Sequence, residues 1–232
     1  MRRVAGLLVT FALACAPGGP SSLSEAGTGE GVWGYVRLLP REGVQPSRGS
    51  GGGSYGDRRL ATVELVDYER PGFAVVYAEG LPVPADALAL IVREGVASPQ
   101  LEPALAAVAA GGRITVRNET RATHTVSVPM AGAIHRLAPG ASVEIAAGAG
   151  GEQPLFLLDA PRAEARVFVA PGPYAVASER GRFELGGLGG SGRVRLVAWH
   201  PRFPPAARWV ELAGGSQRVD LELQVGREED MP

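Results

Sequence analysis

The chain contains no lysine, a single cysteine and few aromatics, and after its first fifteen residues it has no apolar run long enough to cross a bilayer as a helix. Each absence excludes something. One cysteine, Cys15, rules out any internal disulfide, so stability must come from packing. At 6% aromatic residues, the core has to rest on Val, Leu, Ala and Ile. All 23 basic residues are arginine, and 24 acidic residues offset them to a net charge of −1. That balance lacks the basic domain or stripe of a nucleic-acid binder. What the chain has in excess is 33 glycines and 19 prolines, the punctuation of a turn-rich protein. With 45% hydrophobic residues over 232 positions, it can still bury a core in one or two domains.

The N-terminus reads as an address. Arg2 and Arg3 supply a positive n-region, and Val4 to Ala14 form a short apolar run that fits a secretory h-region. The segment Phe11-Ala12-Leu13-Ala14-Cys15 resembles the lipobox of bacterial lipoproteins, with Ala12 where that family prefers a larger aliphatic. The resemblance implies lipidation of Cys15 after removal of the leader, making residues 1–15 a signal peptide with lipobox. Ala16, where an Asp would favour inner-membrane retention, implies an outer-membrane anchor facing the periplasm. The alternative is cleavage near Ala14 to give a secreted or soluble periplasmic protein. Residues 16–30, rich in Pro, Gly and Ser, read as a flexible tether.

Beyond the tether, short β-type segments recur at close spacing. They are Val32–Leu39, Ala61–Tyr68, Phe73–Ala78, Ala87–Val92, Ala104–Val108, Arg113–Arg117, His124–Val128 and Ser142–Ile145, followed by Leu155–Leu158, Ala165–Val169, Tyr174–Ser178, Arg182–Leu185, Arg193–Trp199, Arg208–Leu212 and Gln217–Val225. Arg193-Val194-Arg195-Leu196-Val197 alternates as a half-buried strand does. Pro84–Val96 and Ala104–Ala110 could instead form short helices. A Gly-rich loop over 48–56 interrupts the series. The fold class expected is all-β, as one sandwich or a pair.

Catalytic-looking matches dissolve on inspection. Gly52-Gly53-Ser54-Tyr55-Gly56 fits G-x-S-x-G but lies in a Gly/Ser loop without the strand and helix of a nucleophile elbow. Gly187-Leu188-Gly189-Gly190-Ser191-Gly192 fits G-x-G-x-x-G but leads into a strand, so it reads as a turn. Asn118-Glu119-Thr120 matches a glycosylation sequon, and Arg227-Glu228-Glu229-Asp230 reads as part of a solvated acidic tail over 226–232. No paired carboxylates, H-E-x-x-H or Ser/His/Asp set emerges, so no enzyme is expected and no catalytic residue is assigned.

Residues 99–200 carry a resemblance. Arg113-Ile114-Thr115-Val116-Arg117-Asn118, then Thr123-His124-Thr125-Val126, then Ala138-Pro139-Gly140-Ala141-Ser142-Val143 resemble the plastocyanin-like (cupredoxin) domain of methylamine-utilization-type bacterial envelope proteins. His124 stands where that family carries a copper-binding His. Pro173-Tyr174-Ala175-Val176, Gly181-Arg182-Phe183-Glu184-Leu185 and Val197-Ala198-Trp199-His200 are similar to a carboxypeptidase-regulatory-like β-module. Gly31-Val32-Trp33-Gly34-Tyr35-Val36 and Phe73-Ala74-Val75-Val76-Tyr77-Ala78 resemble its opening strands. The resemblance implies a cupredoxin-like Greek-key sandwich over 99–170, set between β-segments 31–98 and 171–225 of a small regulatory-like β-sandwich.

The family's copper ligands do not carry over. Its C-x-x-H-P-x-M falls on Leu157-Leu158-Asp159-Ala160-Pro161-Arg162-Ala163, so Leu157, Ala160 and Ala163 stand for the thiolate, the second His and the axial Met. A further His of some members is Ala104 here. Blue copper needs two imidazoles and a thiolate, and no metal or other cofactor is expected. A substitute set of His124, Met130 and His135 would suit Cu(I) as soft and imidazole donors. The leading expectation is a non-enzymatic envelope lipoprotein whose degenerate cupredoxin-like domain serves structure or binds an envelope protein partner. The alternatives are a copper-binding or metal-delivery protein using that substitute set, and a glycan or small-ligand binder. Trp33, Trp199, Trp209 and His200 are expected to serve packing.

Overall fold

The structure is a computed structural model that describes residues 30–42, 66–188 and 192–225. The leader, Cys15, residues 16–29 of the tether, the Gly-rich loop 48–56, residues 61–65 of one expected strand and the acidic tail lie outside the described residues. Among the described residues, regular structure is strand apart from one 3-10 turn at Pro129–Ala131, and no helix is long and apolar enough to cross a membrane.

Two sandwiches are nested in one chain. The first unit uses β1 (Gly31–Leu39) and β2 (Val75–Glu79), and is completed by β12 (Tyr174–Val176), β13 (Arg182–Gly186), β14 (Gly192–His200), β15 (Phe203–Leu212), β16 (Ser216–Arg218) and β17 (Leu221–Gln224). One sheet runs β13-β1-β16, with β17 also paired to β1, and the other runs β12-β2-β14-β15. Val36, Leu38, Val76, Phe183, Leu196 and Leu223 belong to the core between them.

The second unit is inserted between β2 and β12. It comprises β3 (Ala87–Arg93), β4 (Gln100–Glu102), β5 (Leu105–Ala109), β6 (Arg113–Asn118), β7 (His124–Val128), β8 (Ala133–Leu137), β9 (Ser142–Ala146), β10 (Gly151–Leu157) and β11 (Ala160–Ala170). A sheet ordered β5-β11-β10-β7-β8 faces one ordered β4-β3-β6-β9. Leu90, Ile114, Val116, Val126, Leu155, Leu157 and Val167 fill its separate core. Aliphatic β-branched and Leu residues dominate both cores, as the scarcity of aromatics requires.

The strands expected at Ala87–Val92 and Ala104–Val108 form as β3 and β5, and the helical alternative does not, each strand pairing in parallel with a neighbour, β6 and β11 respectively. Three expectations are corrected. Since β3 pairs with β6, the division expected at 98/99 moves earlier, to the segment between Glu79 and Ala87. Val66–Tyr68, the described part of the expected strand 61–68, is not strand. Gln217–Val225 is interrupted at Val219–Asp220, where the Asp220 carboxylate accepts the Tyr35 N–H at 3.1 Å and takes the place of a ladder bond. Gly34 permits this crossing, since a Cβ there would stand 1.9 Å from the Val219 carbonyl oxygen.

A third apolar cluster joins the units. Phe168 of β11 stacks on Trp199 of β14 with centroids 4.5 Å apart, while Tyr77 lies 5.6 Å from Phe168 and Phe73 meets Trp199 edge-on. Asp86, just before β3, accepts the Tyr174 hydroxyl at 2.6 Å and the Ala109 N–H at 2.8 Å. Burial pushes the Tyr174 hydroxyl pKa upward, and the Asp86 carboxylate pushes it further, so the tyrosine stays a donor. Phe168→Ala is expected to lower the unfolding free energy by about 3 kcal/mol, the usual cost of emptying a buried aromatic site. Urea unfolding followed by Trp fluorescence checks this; an unchanged midpoint would place the stack outside the cooperative unit.

Candidate functional site

The site suggested by the resemblance sits at one end of the inserted sandwich, where β6 ends, β7 begins and the β10–β11 hairpin turns. β10 and β11 pair through Leu157 and Ala160, leaving the two-residue turn Leu158-Asp159. That tight turn brings Asp159 over the start of β7. The Asp159 carboxylate accepts the Thr125 N–H at 2.9 Å and meets Nδ1 of His124 at 2.5 Å.

The other side of His124 is closed by a polar chain from β6. Asn118 is fully buried, and its amide nitrogen donates to the carbonyls of Ala122 and Leu137 at 2.8 and 3.0 Å. Those two bonds orient the amide, so its oxygen faces Thr120 and can only accept. It receives the Thr120 N–H at 2.9 Å and the Thr120 hydroxyl at 2.8 Å. Thr120 Oγ1 also lies 3.2 Å from the Ala122 carbonyl and hydrogen-bonds with Nε2 of His124 at 2.8 Å. Both ring nitrogens of His124 therefore have a hydrogen-bond partner, Asp159 on one side and Thr120 on the other. Among the described residues every buried side-chain polar atom has a partner.

The structure does not bring His124, Met130 and His135 together as a donor set. His124 is buried and spoken for, Met130 is 73% exposed on the 3-10 turn, and His135 lies half-buried on β8 opposite Val126. Leu157, Ala160 and Ala163, which stand where the family's ligands would be, are buried in the inserted core. Ala104 is exposed, and its carbonyl accepts the Arg166 N–H. Among the described residues no three His, Cys, Asp or Glu side chains are grouped closely enough to hold a metal ion.

Other sequence candidates resolve individually. The sequon residue Asn118 is enclosed, so a glycan cannot be attached to it in the folded chain. His200 is a packing residue as expected: it accepts the Arg202 N–H at Nδ1, and its Nε2 donates to the Pro71 carbonyl at 3.1 Å. Burial lowers its pKa. Trp199 lies at the junction between the sandwiches. Trp33 serves packing on the outer side of its sheet, buried under arginines, and Trp209 is 55% exposed with Arg193 over its ring at 4.6 Å. Asp159 and Thr120 were not expected to matter. An Asp between two apolar runs is a turn signal, but its bond to a histidine 35 residues earlier exists only once the strands are paired.

No family model matches the chain, and no curated protein matches it. Among solved structures it is similar to a purple cupredoxin from Nitrosopumilus maritimus, at 16% identity over 36% of this chain and 99% of that one, with a TM-score of 0.32. Two amicyanin variants with Cu(I), at 13% and 16% identity, each match 40% of this chain and 97% of their own with a TM-score of 0.31.

The Asp159 contacts couple the site to pH. Burial pulls its carboxyl pKa upward, but the Thr125 N–H and the His124 ring outweigh that pull and hold it below its ordinary 3.8. A carboxyl lowered on folding contributes stability above its unfolded value, and that contribution is lost as pH falls through the folded one. Asp159→Asn is expected to cost about 1–2 kcal/mol at neutral pH and to flatten the decline of stability below pH 3.8. Thermal unfolding of both forms across the acid range measures it, and parallel curves would refute the coupling.

Proposed function

We propose that the chain is a non-enzymatic cell-envelope lipoprotein, held to the membrane through Cys15, whose inserted sandwich is a cupredoxin-like domain without copper that serves as a structural or protein-interaction module. The observation that carries this reading is the state of His124. The histidine that the resemblance sets at a ligand position has a hydrogen-bond partner on each ring nitrogen, Asp159 and Thr120, and Leu157, Ala160 and Ala163, which the resemblance sets at the other ligand positions, are apolar and buried. Copper would need imidazole and thiolate lone pairs converging on one point. Here a carboxylate–imidazole–hydroxyl chain does mechanical work instead, tying the β10–β11 turn to the start of β7.

The interaction role is supported by the outer face of the β5-β11-β10-β7-β8 sheet. Ile134 of β8 and Phe156 of β10 flank Ser127 across the ladder, so the three share that face. Ile134 and Leu158 are exposed, and Met130 projects from the adjoining 3-10 turn. β8 lies at the end of its sheet's order, where a partner can approach.

Two measurements test the proposal. Purified full-length chain, loaded with Cu(I) or Cu(II) and dialysed, is expected to retain no stoichiometric copper by metal analysis. Retention of one copper per chain that disappears in His124→Ala would overturn the reading. In a pull-down from detergent-solubilised envelope, wild type is expected to recover a partner that Ile134→Asp loses; equal recovery by both, or none by either, speaks against the interaction role.

A further inference from the structure

We propose that the outer edge of β8 takes up an extended peptide as a further strand of the β5-β11-β10-β7-β8 sheet, one that sets a carboxylate beside Arg136 and an aliphatic side chain beside Ile134. The inference rests on the protein-interaction reading above and names how that partner is held. Which backbone groups β8 offers follows from its neighbours. The Thr125 carbonyl accepts the Leu158 N–H, so Thr125 and Ser127 turn their backbone groups toward β10. His124, Val126 and Val128 therefore turn theirs toward β8, opposite Leu137, His135 and Ala133. That leaves the N–H and C=O of Ile134 and Arg136 directed away from the sheet. None of these four groups has a hydrogen-bond partner among the described residues, and none of the described strands pairs with β8 on that side.

The opposite edge of the same sheet is closed. On β5 the Ala109 N–H donates to the Asp86 carboxylate at 2.8 Å, and the Ala109 carbonyl accepts the Gly112 N–H at 3.0 Å. The Tyr174 hydroxyl stands 3.4 Å from the Ala107 carbonyl. β8 has no such caps and no proline. A row of unpaired donors and acceptors at a sheet edge is a template for an added strand, and main-chain hydrogen bonds then supply the affinity.

The side chains of β8 set the chemistry of the partner. Alternate residues of an added strand come beside Ile134 and Arg136 on the outer face. Ile134 is exposed there, and its cross-strand neighbour Ser127 lies beside Phe156 of β10. An aliphatic side chain from the partner would cover it. Arg136, opposite Thr125, is exposed and has no ion pair among the described residues. The carboxylates on this side of the sheet are taken. Asp159 accepts the Thr125 N–H and meets His124, while Glu152 and Glu164 lie 2.7 and 3.5 Å from Arg166. A carboxylate on the partner gives Arg136 the counter-charge that this chain does not supply, in the charge-assisted pairing a guanidinium favours. Ile134 and Arg136 are two positions apart, so the recognised segment carries one aliphatic and one acidic residue separated by a single residue.

The test is a nuclear magnetic resonance titration of the isotope-labelled full-length chain with the peptide Ser-Val-Thr-Glu-Thr-Val-Ser, whose pattern fits either strand direction. It is expected to shift the amide signals of Ile134 and Arg136 and to slow their hydrogen exchange, leaving Ala107 on the closed edge unchanged. Replacing the peptide's Glu by Lys, or methylating its backbone nitrogens, is expected to weaken binding at least about tenfold, the value of one charge-assisted contact. Arg136→Glu is expected to reverse the preference to the Lys peptide while the unfolding midpoint stays unchanged. Absence of the shifts at millimolar peptide, equal binding of either altered peptide, or an unreversed preference in Arg136→Glu would each overturn the proposal. So would amides of Ile134 and Arg136 already protected without peptide: protection that rises with chain concentration assigns the edge to a second copy, and protection that does not assigns it to another segment of this chain. The pull-down reads the interaction role separately, since a partner lost by Ile134→Asp while the peptides fail to bind removes strand addition alone.

Discussion

The short antiparallel ladder between β2 and β12 is the contact on which the rest of the molecule depends. Tyr77 pairs with Tyr174 and Val75 with Val176, and the Ala78 N–H donates to the Pro173 carbonyl at 2.9 Å. These two strands are the exit from and the return to the first sandwich, so the whole second sandwich is a loop closed by that ladder. Closing a loop costs entropy that grows only slowly with its length, and a large insertion is tolerated when it folds around its own core. The separate cluster of aliphatic residues in the inserted unit supplies that core. The stack of Phe168 on Trp199, with Tyr77 and Phe73 around it, then fixes one unit against the other. A chain with few aromatics has concentrated several of them at this junction, where flat rings bury much area at a boundary that neither aliphatic core reaches.

The two units use polar residues in contrasting ways. In the inserted sandwich, Asn118, Thr120, His124 and Asp159 form a closed chain in which donors and acceptors match. It leaves little to offer a ligand and binds three chain segments together. In the first sandwich, arginines lie over aromatic rings at the surface, with carboxylates beside them. In both, the polar groups are paired: Arg37 and Arg218 share the Asp220 carboxylate, and Arg182 pairs with Glu184.

Much of the architecture was legible from alternation and turn residues alone. The strands around Val116, Val126, Phe183 and Leu196 lie where the pattern placed them, and their apolar positions face the cores. Ala87–Arg93 and Leu105–Ala109, apolar stretches that left a helical alternative open, are strands as first read, and parallel pairing with β6 and β11 closes the alternative. Legibility failed where the local signal is short or where a distant partner decides. β4 and β8 were missed because three- and five-residue edge strands carry little periodic signal. The break at Val219–Asp220 depends on the approach of that segment to Gly34, nearly two hundred residues earlier.

For the candidate site the division is sharper. The expectation that Leu157, Ala160 and Ala163 stand where the resembled family carries a thiolate, a second imidazole and a thioether rested on residue identity alone, because side-chain chemistry does not wait for a fold. They could not show what His124 does in their absence. That required the β10–β11 turn to carry Asp159 onto one ring nitrogen and the Asn118 amide to aim Thr120 at the other, contacts between segments far apart in the chain. The outward Trp33 under its arginines is of the same kind. Alternation tells that two sides of β1 differ, but which side meets the core, and which arginines from β13 and β16 arrive on the other, is settled by strand register, and register is a property of the assembled sheet.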